Sequence, residues 1–445
     1  MEKLIIQANP QAHGEITIPG SKSLSNRGLL VAALAQGTTI VENLLDSDDI
    51  KWMLKALSTL GVDITLNEDK TQAKVVGIGS KFAVNGDFDL FLGNAGTAFR
   101  PLIAALAFNQ GDACFKISGE PRMHERPVKD LVDALLTLGC EIEYLENEGY
   151  APLVIRTKAT GVALKTTKVG IAGNISSQFL TALLMISPLI GQELEINIIG
   201  DLVSKPYIDI TLDVMRKFGV QVTIINDYQA FKISPQAYVS PERFLVEGDA
   251  SSASYFLLAG AIAGDVTVRG IDMTSVQGDK DFVLALEQMG AIISSGHGYI
   301  RAQMNQDLVA QTGYALKAVD LNLNKIPDAA MGLAIAALYC PPGSKTVIRD
   351  VYNWRVKETD RLNAMATELQ KLGVEVTERH DYLEVVAPEV LRSAEIATYN
   401  DHRIAMCFSL VALNKQDVPV TILDPSCTRK TFPTYFIEFA KIHGK

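Results

Sequence analysis

The sequence predicts an α/β protein of two domains, each built from three copies of one structural unit. The chain has 445 residues, which exceeds the length at which a single hydrophobic core keeps growing. A small polar segment followed by an apolar helix recurs six times, and internal repetition of this kind is typical of folds assembled from one repeated unit. Most copies continue into an amphipathic helix and then a strand, which indicates mixed α/β structure.

The six apolar helices each follow a segment rich in small or charged residues. Because each helix is apolar on nearly every side, we expect it to be buried. In chain order the copies read GSKSLSNRGLLVAALAQG, GNAGTAFRPLIAALAFNQG, GNISSQFLTALLMISPLIG, EGDASSASYFLLAGAIAGD, IPDAAMGLAIAALYCPPG and NDHRIAMCFSLVALNKQD.

The amphipathic helices run through a glycine into a strand, and these glycines suit left-handed helix C-caps. They are Gly61, Gly139, Gly219, Gly290 and Gly373. A spacing of roughly 70 to 85 residues leaves room for two helices and several strands per copy. We expect the domain boundary between the third and fourth copies, near VSPERFLVEGD, where Pro241 interrupts the chain.

Charge and cysteine usage exclude several functions. The net charge is −10 at pH 7, which argues against general binding to nucleic acid or anionic membranes. The five cysteines show no metal-ligand spacing, so we expect buried free thiols, a reducing compartment and no structural zinc. The sequence shows neither an apolar leader nor an apolar run of about 18 residues, which predicts a soluble, cytoplasmic protein.

Cations stand at the start of several apolar helices. Lys22 and Arg27 flank the first helix start, where the partial positive charge of a helix N-terminus makes a cation unfavourable unless an anion joins it. The equivalent groups in other copies are Arg100, the uncharged Ser176, Ser177 and Gln178, and His402 with Arg403. The sequence therefore predicts an anion site formed by several helix N-termini. The fourth copy has no cation, which favours a packing role, and His402 taken alone is more typical of a structural histidine.

Two segments of the first half combine glycine or proline with arginine. In LGNAGTAFRPL, Gly93 and Gly96 allow close backbone approach and Asn94 offers hydrogen bonds, although an ordinary capped helix remains an alternative. In GEPRMHERPVKDL, Arg122 and Arg126 stand one helical turn apart, a spacing that a solvated helix face also explains.

The second half adds carboxylates among its cations. NWRVKETDRL contains Glu358, and a helix there would place Lys357 and Arg361 on one face, although a solvated helix is an alternative. Asp328 precedes an apolar helix, where an N-cap is an alternative. Lys430 adds a further cation. These groups suit the binding of carboxylate and phosphate and the transfer of protons.

Motifs of other chemistries are missing from the sequence. It contains no P-loop, no G-x-G-x-x-G after a strand, no H-E-x-x-H and no G-x-S-x-G. ATP, nicotinamide, zinc and acyl-serine chemistry are therefore disfavoured.

Taken together, these segments resemble the 5-enolpyruvylshikimate-3-phosphate synthase family over essentially the whole chain. LGNAGTAFRPL and RVKETDRL correspond to the family's two signatures. The other matching segments follow in the family's order: PGSKSLSNR, SSQFLTALLM, DLVSKPYIDIT, IPDAAM, NDHRIAM and KTFP. Phe99 replaces a common Met and His124 a common Lys, and neither change removes a charge that the chemistry needs.

The resemblance implies the two-domain enolpyruvyl transferase fold. Each domain has three βαβαββ units, with helices enclosed by sheets like an inside-out α/β barrel, and two crossings connect the domains. We therefore expect one domain over residues 21–246 and the other over 1–20 plus 247–445. This agrees with the six copies found above.

The resemblance also implies the reaction. The family transfers the enolpyruvyl group of phosphoenolpyruvate to the 5-hydroxyl of shikimate 3-phosphate, through a tetrahedral intermediate, and releases phosphate. This step belongs to the shikimate pathway of aromatic amino acid biosynthesis and uses no metal or organic cofactor. We expect a monomer whose partners are these two small molecules, both polyanions that require clustered cations.

Site residues are carried over from the family position by position. For shikimate 3-phosphate they are Lys22, Ser23, Arg27, Ser176, Ser177, Gln178, Ser204, Tyr207, Asp328, Asn353 and Lys357. For phosphoenolpyruvate they are Lys22, Asn94, Gly96, Arg126, Arg361, Arg403 and Lys430, with Arg100 nearby. The catalytic residues implied are Asp328, Glu358 and Lys22, and the resemblance leaves open which carboxylate handles which proton. Because both predicted domains contribute residues, we expect substrate binding to draw them together and exclude water.

Two alternatives and an inhibitor follow from the same residues. The enolpyruvyl transferase that acts on UDP-N-acetylglucosamine shares the fold. That family usually has a reactive cysteine at the position where this chain has Pro121. A non-catalytic anion-binding protein is the other alternative, although Asp328 and Glu358 would weaken anion binding by repulsion. Gly96 and Pro101 are present as in glyphosate-sensitive members, so we expect sensitivity to glyphosate.

Overall fold

The protein divides into two compact units in a computed structural model that describes residues 2–444. The continuous unit comprises Gly20–Val246, and the split unit combines Met1–Pro19 with Glu247–Lys445. Within the described part of the chain, every helix is too short or too polar to cross a bilayer.

The elements run as follows in chain order. Two strands of the split unit come first: β1 (Lys3–Ile6) and β2 (Ala12–Thr17). The continuous unit contains α1 (Lys22–Leu34), β3 (Thr38–Glu42), α2 (Asp48–Thr59), β4 (Asp63–Leu66), β5 (Gln72–Val76), β6 (Gly86–Phe91), α3 (Gly96–Ala107), β7 (Ala113–Ser118), α4 (Lys129–Leu138), β8 (Glu141–Tyr144), β9 (Leu153–Thr157), β10 (Lys168–Ala172), α5 (Ser177–Ile186), β11 (Leu194–Ile199), α6 (Lys205–Lys217), β12 (Thr223–Ile225), β13 (Ala230–Ile233) and β14 (Arg243–Leu245).

The split unit then resumes. Its remaining helices and strands are α7 (Ala250–Ala263), β15 (Gly264–Arg269), α8 (Phe282–Gln288), β16 (Ile292–Gly296), β17 (Tyr299–Gln303), α9 (Gln306–Thr312), β18 (Asp320–Asn322), α10 (Met331–Ala336), β19 (Lys345–Arg349), α11 (Arg361–Lys371), β20 (Glu375–Glu378), β21 (Leu383–Val386), β22 (Ala394–Ile396), α12 (His402–Ser409), β23 (Val420–Leu423) and α13 (Tyr435–Ile442). Short 3₁₀ helices include Pro121–Glu125, Tyr352–Val356 and Pro425–Lys430.

Each predicted copy forms one small sheet with its helices. In the second copy β6 pairs parallel with β7, β7 pairs antiparallel with β9, and β9 pairs antiparallel with β8. The sheet order β6-β7-β9-β8 therefore follows from a βαβαββ chain order. The sheets β10-β11-β13-β12 and β18-β19-β21-β20 repeat the pattern. The repeated unit predicted from the sequence is thus present.

The chain crosses between the units twice, and at these crossings the first and fourth copies exchange a strand. β14 pairs parallel with β3, with Phe244 opposite Val41, and completes the sheet of the first copy. β2 pairs parallel with β15, with Gly14 opposite Val266, and completes the sheet of the fourth copy. The strand that precedes α1 in the chain therefore belongs to the split unit, whereas the strand that precedes α7 belongs to the continuous unit. In the sixth copy β1 pairs with β23 in a sheet ordered β1-β23-β22.

The apolar helices form the cores, as predicted. All 14 residues of α7 are buried, because the helix offers no polar face to solvent. The amphipathic helices end at left-handed glycines, also as predicted, and the φ values are 84° at Gly61, 107° at Gly139, 84° at Gly219, 100° at Gly290 and 83° at Gly373. Four of the five free cysteines are buried, but Cys114 is only partly so.

One local prediction is wrong. A single helix does not carry both Lys357 and Arg361, because the 3₁₀ helix ends at Val356 and Lys357 has extended backbone. The α-helix begins only at Arg361, where the Asp360 side chain accepts a hydrogen bond from the Asn363 N–H and caps it. The cap therefore outweighs the helical charge pattern at this point.

A glycine inside α7 tests the packing of that helix against its sheet. A Cβ at Gly260 would lie 2.3 Å from Ala302 O and 2.8 Å from Val266 N, and backbone cannot move as a side chain can. We expect Gly260→Ala to lower the free energy of unfolding by about 1–3 kcal/mol, the usual cost of overpacking. Urea denaturation followed by circular dichroism measures it.

A second helical glycine provides the control. A Cβ at Gly332 would meet the Phe282 ring at 3.2 Å, and a small ring shift is offset by better helix propensity. We expect Gly332→Ala to change the free energy of unfolding by less than about 1 kcal/mol. Equal losses in both variants would contradict the backbone clash at Gly260.

Candidate active site

In the continuous unit Arg27 is a buried cation whose hydrogen bonds go to neutral oxygens. Its side chain donates to Ser23 O at 3.1 Å, Tyr207 O at 3.3 Å, Thr211 Oγ1 at 2.9 Å and Thr181 Oγ1 at 3.3 Å. Burial lowers the pKa of Arg27 to about 10, which leaves it charged at neutral pH. A buried charge is costly unless it is balanced, so this geometry suits an anionic ligand.

Lys22, the first residue of α1, has a buried carboxylate beside it. Its Nζ lies 3.4 Å from Asp49 Oδ2, and the two side chains are 11% and 4% exposed. Asp49 was not among the residues predicted from the sequence. An acidic residue in the first turn of a helix, here α2, is ordinary, so the sequence carried no signal that it would meet Lys22.

Two further arginines meet at the start of α3. Arg126 Nη1 donates to Asn94 Oδ1 at 2.9 Å and to Asn94 O at 3.2 Å, and Arg100 Nη1 donates to Gln178 Oε1 at 2.8 Å. A Cβ at Gly96 would lie 2.7 Å from Arg100 Nη1 and 2.8 Å from Arg126 Nη2. Glycine is therefore the residue that leaves both guanidinium groups room at this helix start.

Arg122 and Arg126 lie in different environments although their spacing suits one helix face. Arg122 is partly exposed and pairs with Glu125 at 2.7 Å, whereas Arg126 is 3% exposed. The 3₁₀ helix Pro121–Glu125 ends between them. The solvated alternative is thus correct for Arg122 and wrong for Arg126.

The remaining predicted residues of this unit also lie at helix starts. Ser176 is the N-cap of α5 and its hydroxyl accepts from Gln178 N at 3.3 Å. Ser204 is the N-cap of α6 with a left-handed backbone, and Tyr207 follows in the first turn. Asn26 Nδ2 donates to Thr97 Oγ1 at 2.7 Å and joins α1 to α3. We call the following set the cationic cluster: Lys22, Ser23, Arg27, Asn94, Gly96, Arg100, Arg126, Ser176, Ser177, Gln178, Ser204 and Tyr207.

The split unit builds its polar groups around Arg361, the first residue of α11. The guanidinium is 1% exposed and donates to Asp401 Oδ2 at 2.8 Å, Asp328 Oδ1 at 2.9 Å and Glu358 Oε2 at 2.9 Å. Burial opposes its charge, but the three carboxylates outweigh burial and raise the pKa of Arg361. One guanidinium thus holds three carboxylates in fixed positions.

Asp328 is an ionised carboxylate surrounded by cations. Besides Arg361, it lies 3.2 Å from Lys357 Nζ and 3.2 Å from Arg403 Nη2. Burial opposes ionisation, but Arg403, Lys357 and Arg361 hold the pKa of Asp328 well below its usual value. The N-cap of α10 is Ala330, so the alternative that Asp328 caps this helix is wrong. The carboxylate is therefore ionised at neutral pH.

Glu358 lies between two cations of the same unit. Its Oε1 is 3.7 Å from Lys430 Nζ, its Oε2 is bonded to Arg361, and its side chain is 8% exposed. Asn353 is buried in the 3₁₀ helix Tyr352–Val356 that precedes it. We call the following set the carboxylate–arginine cluster: Asp328, Asn353, Lys357, Glu358, Arg361, Arg403 and Lys430.

Two buried acids that support this cluster were missed. Asp401 is fully buried, binds Arg361 and caps α12 by accepting from Arg403 N at 2.9 Å. Glu368 accepts from Tyr399 Oη at 2.6 Å and so holds a left-handed turn with φ of 54° at Tyr399 and 53° at Asn400. A capping aspartate and a helical glutamate are common, so sequence spacing did not single them out.

His402 is buried beside Asp401. Its Nδ1 lies 3.5 Å from Asp401 Oδ1, and both side chains are fully buried. This burial favours the structural interpretation of the histidine.

Comparison with protein families identifies the arrangement. The family model of EPSP synthase (3-phosphoshikimate 1-carboxyvinyltransferase) matches residues 6–439. The chain belongs to the EPSP synthase family. It is therefore an enolpyruvyl transferase, as its sequence motifs predicted.

Relatives in this family cover the chain almost completely. The 3-phosphoshikimate 1-carboxyvinyltransferases of Actinobacillus pleuropneumoniae serotype 5b and Histophilus somni strain 2336 are 57% and 56% identical, and each alignment covers 99% of both chains. That of Haemophilus influenzae strain PittEE is 55% identical over the same share.

Solved structures share the fold. The EPSP synthase of Acinetobacter baumannii superposes with a TM-score of 0.79 at 24% identity over 99% of this chain and 98% of that one. The enolpyruvyl transferase NikO of Streptomyces tendae gives 0.75 at 15% identity over 100% and 98%. These matches confirm the predicted enolpyruvyl transferase fold.

The charge state of Asp328 in this EPSP synthase family member predicts a dependence of stability on pH. A carboxyl whose pKa is lowered by folding stabilises the protein fully above its unfolded pKa of about 4, and that contribution is lost as the pH falls through the folded pKa. Asp328→Asn removes the contribution. We expect the difference in free energy of unfolding between the natural protein and Asp328→Asn to shrink from about pH 6 to about pH 3, as urea denaturation at each pH measures.

Asp320→Asn is the matched control. Asp320 pairs with Arg349 at 2.6 Å on the surface, where solvent screens the pair. We expect a much smaller pH-dependent difference for this variant. A difference for Asp328→Asn that stayed constant or grew on acidification would contradict the assignment of a lowered pKa.

Proposed function

We propose that this chain transfers the enolpyruvyl group of phosphoenolpyruvate to the 5-hydroxyl of shikimate 3-phosphate and releases phosphate. The observation that carries the proposal is the ionised Asp328 carboxylate, held among Lys357, Arg361 and Arg403. An ionised carboxylate is in the form that can take a proton from a hydroxyl, and the cations beside it suit the anionic groups of the substrate. The family to which the chain belongs is named for this reaction.

Binding of shikimate 3-phosphate is assigned to residues of both clusters. Support comes from Arg27. Its hydrogen-bond partners are neutral, so they do not neutralise its positive charge, and an anionic ligand can do so. The residues assigned are Lys22, Ser23, Arg27, Ser176, Ser177, Gln178, Ser204, Tyr207, Asp328, Asn353 and Lys357. We further propose that the two compact units are the two domains expected from the sequence, and that both take part in the reaction.

Binding of phosphoenolpyruvate is assigned to a second set. Support comes from the close approach of Arg100 and Arg126 to Gly96, since two guanidinium groups suit a phosphate or a carboxylate. The residues assigned are Lys22, Asn94, Gly96, Arg126, Arg361, Arg403 and Lys430, with Arg100 nearby.

The chemistry needs three side chains and no cofactor in this proposal. Asp328 takes the 5-hydroxyl proton as that oxygen attacks C2 of phosphoenolpyruvate. Glu358, with Lys22, protonates the methylene carbon and later removes a proton as phosphate leaves. The substrate's own hydroxyl is the nucleophile, so the protein supplies none.

We also propose that the enzyme acts as a monomer in the cytoplasm. Both substrates are polyanions that do not cross an apolar bilayer unaided, so the enzyme must share their compartment. Light scattering of the purified protein measures the mass of the particle, and a stable dimer would contradict the proposed monomeric state.

Replacing the proposed acid–base residues tests their roles. We expect Asp328→Ala and Glu358→Gln to keep substrate binding and to lower kcat at least about a hundredfold, the usual contribution of a general acid or base. Steady-state kinetics and calorimetric binding of shikimate 3-phosphate measure the two effects. Asp320→Ala, at an exposed carboxylate, is the control, and unchanged turnover in either test variant would exclude that residue from proton transfer.

A methyl group at position 96 tests the phosphoenolpyruvate assignment. The Cβ of Gly96→Ala would crowd Arg100 and Arg126 and reduce the space for a bound anion. Glyphosate is longer than phosphoenolpyruvate, so its binding should be weakened more. We expect the inhibition constant of glyphosate to rise about tenfold more than the KM of phosphoenolpyruvate, a difference of ~1.4 kcal/mol. The KM of shikimate 3-phosphate serves as the internal control. Equal weakening of both anions would remove the steric explanation.

The reaction itself is tested by phosphate release from purified protein without added metal. Shikimate 3-phosphate with phosphoenolpyruvate should release phosphate, and UDP-N-acetylglucosamine with phosphoenolpyruvate should not. Release only with the sugar nucleotide would overturn the acceptor. Binding heat without release would support a non-catalytic anion-binding protein instead.

A further inference from the structure

Two buried threonines hold the guanidinium of Arg27 between three helices. Arg27 lies on α1, Thr181 on α5 and Thr211 on α6. Arg27 Nε lies 2.9 Å from Thr211 Oγ1, and Nη2 lies 3.3 Å from Thr181 Oγ1. The threonines are 2% and 0% exposed, so both hydroxyls are withdrawn from solvent.

The hydrogen-bond directions in this network are fixed by counting protons. Thr211 Oγ1 lies 2.9 Å from Tyr207 O, which can only accept, so the single hydroxyl proton of Thr211 goes there. Thr211 Oγ1 must therefore accept from Arg27 and from Thr181, whose oxygen is 2.9 Å away. Thr181 in turn accepts from Arg27 Nη2. Each hydroxyl proton has one place to go, and the network has one arrangement.

Neutral hydroxyls orient the guanidinium without cancelling its charge. Arg361 in the split unit shows the contrast, since Asp328, Glu358 and Asp401 surround it. A carboxylate in place of either threonine would neutralise Arg27 and compete with an anionic ligand. The choice of threonine therefore keeps the positive charge available while fixing its direction.

We propose that Thr181 and Thr211 are positioning residues that aim Arg27 at an anionic group of shikimate 3-phosphate. The inference rests on the proposed function, because it takes Arg27 as a ligand of that substrate. Neither threonine touches the substrate in this proposal. Both act through the guanidinium, and Thr211 carries the larger share because its bond to Arg27 is the shorter.

Replacement by valine removes each hydroxyl and keeps the side-chain shape. A hydrogen bond to a charged group is worth more than a neutral one, so we expect Thr211→Val to raise the KM of shikimate 3-phosphate about tenfold. We expect kcat and the KM of phosphoenolpyruvate to change less than about twofold, and Thr181→Val to act in the same direction more weakly. Thr211→Ser restores the hydroxyl and should return the KM to within about twofold of the natural value.

A buried threonine elsewhere in the same unit provides the control. Thr39 is fully buried and its hydroxyl bonds to Ser240 Oγ at 2.8 Å, away from Arg27 in the hydrogen-bond network. Thr39→Val should leave the KM of shikimate 3-phosphate unchanged. Thermal denaturation shows which variants fold, and Thr181→Val, which loses the longer bond to Arg27, carries the test if Thr211→Val does not fold.

Combining Thr211→Val with Arg27→Gln in one protein tests the positioning role separately from the proposed function on which it rests. If the threonines act through Arg27, Thr211→Val should change the KM by less than about twofold once Arg27 is Gln. A large rise for Arg27→Gln with none for the valine variants would overturn the positioning role and leave the proposed function intact. No rise for Arg27→Gln would overturn its assignment as a ligand, and with it this inference, while the phosphate-release assay still decides the reaction. Additive effects of Thr211→Val and Arg27→Gln on the KM of shikimate 3-phosphate would indicate a structural role for the threonines and overturn the inference. An equal rise of that KM in Thr39→Val would do the same.

Discussion

A helix that is apolar on every side must be buried along its whole length, and this constraint determines where polar chemistry can occur. In α7 all 14 residues are buried, and the helix is bounded by the N-cap Asp249 and by Gly264. Polar groups that face a ligand are therefore favoured near the helix starts, where free N–H groups and the positive end of the dipole already favour anions. Repeating such a helix in each copy supplies several starts in each unit. Many of the candidate site residues are of this kind: Lys22 and Arg361 are the first residues of α1 and α11, and Ser176 and Ser204 are the N-caps of α5 and α6.

The buried arginines Arg27 and Arg361 of the two units have opposite kinds of partner. In the cationic cluster Arg27 and Arg126 are bonded to hydroxyl, amide and carbonyl oxygens, which orient a cation without neutralising it. In the carboxylate–arginine cluster Arg361 meets three carboxylates at 2.8 to 2.9 Å. The first arrangement favours binding of added negative charge, whereas the second holds three carboxylates in place and keeps Asp328 ionised. An enzyme that binds polyanions and moves protons needs both.

Sequence periodicity predicted the repeated unit because the apolar helices and the glycine caps follow directly from side-chain polarity and backbone conformation. The site was predicted less completely. Motif resemblance found Lys22, Arg27 and Arg361, but their partners are ordinary by type. These partners are Asp49 beside Lys22, Thr181 and Thr211 beside Arg27, and Asp401 beside Arg361. These residues stand far from their partners in the chain, as Thr211 does from Arg27 at a separation of 184 residues. Spacing rules report neighbours on one element, so contacts of this range are beyond them.

The exchange of β2 and β14 has a consequence for the order in which the protein is synthesised. Every strand of the continuous unit has left the ribosome once β14 (Arg243–Leu245) has, so that unit can complete its sheets during translation. The strands β1 and β2 emerge first, yet their partners are β23 and β15, and β23 ends at Leu423. β2 must therefore stay unpaired until β15 has emerged, and β1 until β23 has, a state in which exposed strands are prone to association. β1 itself contains the charged Lys3, and charge on an unpaired strand opposes association of this kind.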